Sequence, residues 1–319
     1  MCYNTKTIWV DKVSISSSLV ISVIFLLMLS GCKESDSNSQ KLTTSDQEKI
    51  ATLIKKTEDN MIFVKGGTFQ MGDFGPIDEG TNGLPYSVHK DNKSLHTVTL
   101  DSYSISATQV SYDDFDTYTL ATGKQTINNS GIEKKYRAPN VPAGITWHQA
   151  NDYCSWLSAN TDSTYKLPTE AQWEFAARSR GQFYIFATND GSFERGVNIS
   201  THEEIKNSTP ANSSLSPSKI KAIPPNPLGI YQMGLNGFEW TNDWYSEGYY
   251  KNSPQLNPQG PNSGSEKVER GGGFGEGPTA MFTFNRRSSK ANGEFVAADG
   301  NTKSLPLAEH TFRCISITK

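Results

Sequence analysis

Thiols are scarce in this chain of 319 residues, and that scarcity excludes several chemistries. Its four cysteines are Cys2, Cys32, Cys154 and Cys314, and no two stand at the Cys-x-x-Cys spacing of a redox or zinc motif. Histidine is sparse as well. His89, His96, His148, His202 and His310 include no pair four apart, so no helix turns two imidazoles toward one metal. His89 and His96, the nearest two, lie in a loop-to-strand region. No Gly-x-Ser-x-Gly element marks a serine nucleophile. Residues 271–277 are glycine-rich, yet they lack the following helix and βαβ frame of a phosphate loop. An excess of positive charge is missing too: 30 Lys and Arg against 33 Asp and Glu give −3, not the basic face of a nucleic-acid binder. Nor is there a long apolar run. Leu19–Leu29 falls short of the ~20 residues that a membrane-spanning helix requires.

That run reads instead as the apolar stretch of a secretory signal, preceded by a polar segment carrying Lys6 and Lys12. It ends in Leu29-Ser30-Gly31-Cys32, which resembles the lipobox of bacterial lipoproteins. The resemblance implies cleavage before Cys32 and a diacylglycerol on its thiol. Residues 1–31, Cys2 among them, are then a discarded signal peptide, and Cys32 anchors the chain to a membrane. Lys33, where an inner-membrane retention signal would carry Asp, points to the outer membrane with the protein facing the periplasm.

Residues 32–60 are polar and almost free of aromatics, the composition of a tether, with a short helix expected over Asp46–Lys56. From Met61 the character changes, and residues 61–319 are expected to form one domain. Short β-like runs appear at Met61–Val64, Thr68–Met71, His96–Leu100 and Tyr103–Ile105. Helical spacing covers Tyr112–Ala121 behind Ser111, and Trp147–Ala159 behind Thr146. A third helix is expected from Thr169 through Ala177. Residues 179–228 and 245–268 are rich in Asn, Ser, Pro and Gly and read as long loops, which in a compact domain usually serve function.

Several landmarks then fall in order along the chain. They are Phe63-Val64-Lys65-Gly66-Gly67-Thr68-Phe69-Gln70-Met71-Gly72, Leu167-Pro168-Thr169-Glu170-Ala171-Gln172-Trp173-Glu174-Phe175-Ala176-Ala177-Arg178, Asn236-Gly237-Phe238-Glu239-Trp240-Thr241-Asn242-Asp243-Trp244, Arg270-Gly271-Gly272 and Phe312-Arg313-Cys314. Together they resemble the formylglycine-generating enzyme, or sulfatase-modifying factor, family. The resemblance implies an α+β fold of the C-type-lectin-like kind with little regular secondary structure. It also implies a disulfide between Cys154 and Cys314. The motif residues make physical sense as scaffold: Trp173 and Trp240 bury large apolar areas and require partners for their indole N–H groups. Glu170, Glu174, Arg178, Asn236, Glu239, Asp243 and Arg270 are the polar residues expected to satisfy such a core.

The family's activity is the oxidation of a substrate cysteine by copper and oxygen, with two cysteines following the Arg-Gly-Gly-Ser-type element. Here those positions carry Glu276 and Met281, the serine is Gly273, and a motif tryptophan is Phe238. Soft thiolates are what a Cu(I) site requires, so copper and formylglycine generation are not expected. The iron-dependent branch draws ligands from an additional helical domain, for which residues 33–60 are too few. Family calcium sites, which use an Asn plus backbone oxygens, imply a structural calcium with one half-site at Asn198 and Ile199 and another at Gln232, where an Asn is expected, with Met233, Leu235 and Gly237 supplying carbonyls. The expected function is therefore a non-catalytic, lipid-anchored protein that binds a protein partner, for example immunity against a type VI secretion lipase effector. The alternative is an oxidoreductase with a rearranged site, acting on a sulfatase, peptide or siderophore, with Glu276 as its acid or base.

Overall fold

The computed structural model describes residues 42–304 and 307–318. The signal peptide expected at residues 1–31 and the lipidation expected at Cys32 fall outside the described residues. The chain enters through α1 (Thr44–Asp59), where Thr43 and Asp46 form a reciprocal capping box. This helix is not part of a free tether. Leu53 is buried, Lys56 Nζ lies 2.5 Å from Asp114 Oδ1, and Asn60 Nδ2 donates to Thr108 Oγ1 at 3.0 Å. The folded unit thus begins at α1 rather than at Met61, because one apolar side chain and two polar contacts suffice to hold a capped helix against the body.

Four strand groups follow. A β1 (Met61–Val64), β2 (Gly67–Met71), β3 (His96–Leu100), β4 (Tyr103–Ser106) series precedes α2 (Tyr112–Thr122) and α3 (Trp147–Ala159). Next come β5 (Ser163–Lys166), α4 (Glu170–Ala177) and a one-turn α5 (His202–Lys206). The remainder is β-rich: β6 (Phe238–Trp244), β7 (Lys267–Arg270), β8 (Arg286–Ser289), β9 (Glu294–Val296), β10 (Thr302–Ser304), β11 (His310–Thr311) and β12 (Ile315–Thr318). One antiparallel sheet has the order β1-β4-β12-β5, so the last strand is wedged between the fourth and fifth. A second has the order β11-β6-β7-β8, with β11 parallel to β6 and the others antiparallel. Two-stranded ribbons β2-β3 and β9-β10 complete the set. Mixed short sheets and helices joined by long loops are the expected α+β architecture.

Among the described residues, the start of each α-helix is written in the sequence. Ser111 with Asp114, Thr146 with Gln149, Thr169 with Gln172 and Thr201 with Glu204 each form a capping box. The expected helices therefore appear nearly as read, and α5 is the one that composition hid inside the 179–228 loop. Two main cores lie beneath. One packs Phe69, Val98, Ile105, Trp173 and Phe175; the other packs Tyr112, Phe115, Tyr153, Trp240 and Phe312. Cys154 on α3 is bonded to Cys314, which enters β12, across 160 residues of sequence. That bond joins the second core to the closing strand.

Candidate functional site

Burying charge is costly unless the charge is paired and hydrogen-bonded, and Glu170, Glu174 and Glu239 meet that condition. Glu170 Oε1 accepts from Arg270 Nη1 at 2.9 Å and Arg286 Nε at 2.6 Å, and Oε2 accepts from Arg286 Nη2 at 3.0 Å. Glu174 accepts from Arg178 Nη1 at 2.9 Å, Gly72 N at 2.9 Å and Arg270 Nη2 at 2.6 Å. Glu239 receives Arg313 at both oxygens, at 2.7 Å each, and the Trp173 indole at 2.9 Å. Burial opposes the charged form of Glu170, but Arg286 and Arg270 outweigh it and hold its carboxyl below the usual range. Asp243 accepts from Glu170 N at 2.8 Å, and burial, with the neighbouring Glu170 charge, pushes it up to about 7.

These groups are inside the protein and turned toward one another, so they form scaffold. Of the expected carboxylate partners for tryptophan, only Glu239 serves: the Trp240 and Trp147 indoles donate instead to the Ile145 and Thr241 carbonyls, at 2.9 and 2.8 Å. Arg286 and Tyr250 belong to the same network. Sequence reading missed both, since Arg286 meets Glu170 across 116 residues and no spacing rule connects them.

The residues at the two cysteine positions have a different setting. Glu276 and Met281 both line a cavity of about 150 Å³ between the 195–223 loop, the 232–236 turn and the 273–281 loop. Its floor is aliphatic: Ile199, Ile223, Leu235 and Met281 form one buried cluster. Glu276 is on the rim, its Oε2 accepting from Gly273 N at 3.1 Å and its Oε1 lying 3.5 Å from Arg287 Nη1. Asn236 fixes the back wall from a left-handed conformation (φ 71°), pairing with Ser218 N and O at 2.7 and 3.0 Å. Gly273 also borders the cavity, and the loss of its side chain has a local cause. A Cβ there would meet Glu309 Oε2 at 2.8 Å and Phe238 Cε2 at 2.9 Å. A side chain at position 273 therefore requires Glu309 or Phe238 to shift.

Three of the calcium candidates, Ile199, Gln232 and Leu235, line the same cavity. Asn198 Oδ1 accepts from Glu194 N at 2.7 Å, and its amide donates to Asn189, Asp190 and Ser192. Gln232 Oε1 accepts from Lys221 N at 2.8 Å, while Nε2 donates to Ser218 and Lys219. Met233 and Leu235 are buried among apolar side chains, and Ile199 is in the cavity floor. Gly237 donates its N–H to Gly272 O at 3.2 Å. Both amide oxygens are thus committed to backbone N–H groups, and neither half-site contributes a free carboxylate. A calcium at either half-site would therefore rest chiefly on the backbone carbonyl oxygens that the resemblance implies. Among the described residues, no three His, Cys, Asp or Glu side chains group as metal ligands.

A family model, the sulfatase-modifying factor enzyme 1-like domain, matches residues 46–299. The chain belongs to this family. The match starts within α1, in keeping with that helix being part of the folded unit. Over 231 residues the chain is 28% identical to the serine/threonine-protein kinase pkn1 of Chlamydia pneumoniae, covering 66% of this chain and 32% of that protein. Over 142 residues it is 34% identical to the formylglycine-generating enzyme of Streptomyces coelicolor, covering 43% of each. These matches span about a third and less than half of the relatives' own lengths. Among solved structures, PvdO from Pseudomonas aeruginosa superposes with a TM-score of 0.59 at 22% identity, covering 80% of this chain and 93% of that one, and shares the fold. Within the sulfatase-modifying factor family, then, this chain keeps the ionic scaffold and carries a carboxylate and a thioether in the wall of its cavity.

Proposed function

We propose that this member of the sulfatase-modifying factor family acts by binding a protein partner, without copper-dependent oxidation, from a lipid anchor at Cys32 on the periplasmic side of the outer membrane. The observation that carries the reading is the cavity wall at Glu276 and Met281. A hard carboxylate on the rim and a neutral thioether in the floor do not form the soft dithiolate that Cu(I) requires. Cys154 and Cys314 are joined to each other, in the second core, and neither lines the cavity. Immunity toward a secreted lipase is one concrete form of such binding.

Metal analysis and oxygen uptake test the proposal directly. The purified full chain, offered copper, iron and a cysteine-containing peptide, should retain no stoichiometric metal and consume no oxygen above a blank. Stoichiometric copper or iron, with turnover that changes in Glu276→Gln, would instead establish an oxidoreductase with a rearranged site.

A further inference from the structure

In an Asn-Gly pair the glycine nitrogen can attack the asparagine side chain, because no Cβ shields it. The sequence holds three such pairs: Asn82-Gly83, Asn236-Gly237 and Asn292-Gly293. The fold treats them unequally. Asn236 is buried, its amide pairs with Ser218 N and O, and the Gly237 N–H donates to Gly272 O at 3.2 Å. Asn292 is exposed but tied down. Its Nδ2 donates to Glu294 Oε2 at 2.8 Å, and its Oδ1 accepts from Glu294 N at 3.1 Å. The Gly293 N–H donates to Lys290 O at 2.9 Å.

Asn82 and Gly83 are both exposed, and among the described residues neither the Asn82 amide nor the Gly83 N–H has a hydrogen-bond partner. They are the central residues of a turn, with φ of 53° and 82°, closed by Leu84 N donating to Thr81 O at 3.2 Å. A Cβ on Gly83 would meet nothing within 4 Å, so no neighbour hinders the approach. The base of the loop is fixed elsewhere. Asp73 accepts from Gly75 N, Tyr86 N and Ser87 N at 3.0, 3.1 and 2.8 Å, and Tyr86 Oη donates to Asp78 Oδ2 at 2.6 Å. The tip can therefore rearrange by opening one exposed bond while the base stays closed.

We infer that Asn82 is a site of spontaneous deamidation in the folded protein, the pair among the three that reacts without wider unfolding. When the turn opens and the Asn82 backbone rotates, the Gly83 nitrogen gives its proton to hydroxide and attacks Asn82 Cγ. A bond forms between that nitrogen and Cγ, the Cγ–Nδ2 bond breaks, and Nδ2 leaves as ammonia with a proton taken from water. Water then opens the succinimide ring at either carbonyl, giving aspartate or isoaspartate. The product adds a negative charge to a loop that already carries Asp78 and Glu79.

The test holds the full chain in mildly alkaline buffer at body temperature for several weeks, beside a sample in concentrated urea. Trypsin releases the three pairs in separate peptides, 66–90, 222–251 and 291–303. Mass spectrometry reads the replacement of amide by acid at each asparagine, and an isoaspartyl methyltransferase labels the isoaspartate. In the folded sample Asn82 should convert about tenfold faster than Asn292, the ratio set by one further hydrogen bond that must open. Asn236 should be slower still. In urea the three should react at similar rates, and Asn82→Gln should abolish methylation of peptide 66–90. No conversion at Asn82, equal or faster conversion at Asn292 or Asn236 in the folded chain, or the same ranking in urea would each overturn the inference.

Discussion

Gly273 lies against Glu309: a Cβ at position 273 would stand 2.8 Å from the Glu309 carboxylate and 2.9 Å from the Phe238 ring. At the position that carries a serine in the family's element, a side chain fits only if the Glu309 carboxylate or the Phe238 ring gives way. Gly273→Ser should therefore destabilise the fold by about 1–3 kcal/mol through overpacking. Glu309→Ala in the same chain should restore part of that loss, because the two residues touch and their effects are not additive. Urea midpoints of the two single variants and the double variant check both statements.

Glu170, like Glu174, is a buried carboxylate paired with two arginines. Glu170→Ala leaves Arg270 and Arg286 charged in a dry interior and should cost about 3–5 kcal/mol. Arg286→Ala should cost a comparable amount, and the double variant less than the sum. Denaturant unfolding of the three variants measures the coupling.

The Cys154–Cys314 bond closes a long loop and constrains the unfolded chain. Replacing both cysteines by serine should lower stability by roughly 3–5 kcal/mol on the entropic account. A thiol titration of unfolded protein should show both sulfurs only after reduction. Reactive thiols at these positions before reduction would contradict the bond.

Asp243 gives the fold a pH dependence whose sign is fixed. Burial raises its carboxyl from 3.8 to about 7, so the native state keeps a proton that the unfolded chain releases near its ordinary value. Its contribution is complete below the ordinary value and is lost as pH rises through about 7. Lys267, depressed to about 8 by burial, acts at higher pH and does not mask this window. Asp243→Asn should flatten the decline in thermal midpoint between acid and neutral pH. An unchanged pH profile in that variant would contradict the assignment.

The readable parts of the fold were those with a local cause. Thr146 and Gln149 announce α3, and Thr169 and Gln172 announce α4, because a capping box is formed within one turn. The strand β6 was not readable. Its seven residues include Glu239, Thr241 and Asp243 among those buried, so no polar–apolar alternation betrays it. Those polar residues are tolerable only because Arg313, the Val268 carbonyl and the Glu170 N–H reach them from distant segments. The same holds for α1, whose polar composition suggested a tether until Leu53 and Lys56 found their partners. The amides of Asn198 and Gln232 also depend on the fold for their partners, since both staple their own loops.

The sequence by itself determined that this chain carries the sulfatase-modifying factor frame, with Glu276 and Met281 where thiolates would be needed. Those facts depend on residue identity and order, which need no folding to be read. Only the tertiary structure decided that Glu276 and Met281 share one cavity, that the 195–223 loop supplies its opposite wall, and that Glu309 stands behind Gly273. Such proximities join residues from a few to several tens of positions apart, and they arise from packing and the satisfaction of buried polar groups, not from any local pattern.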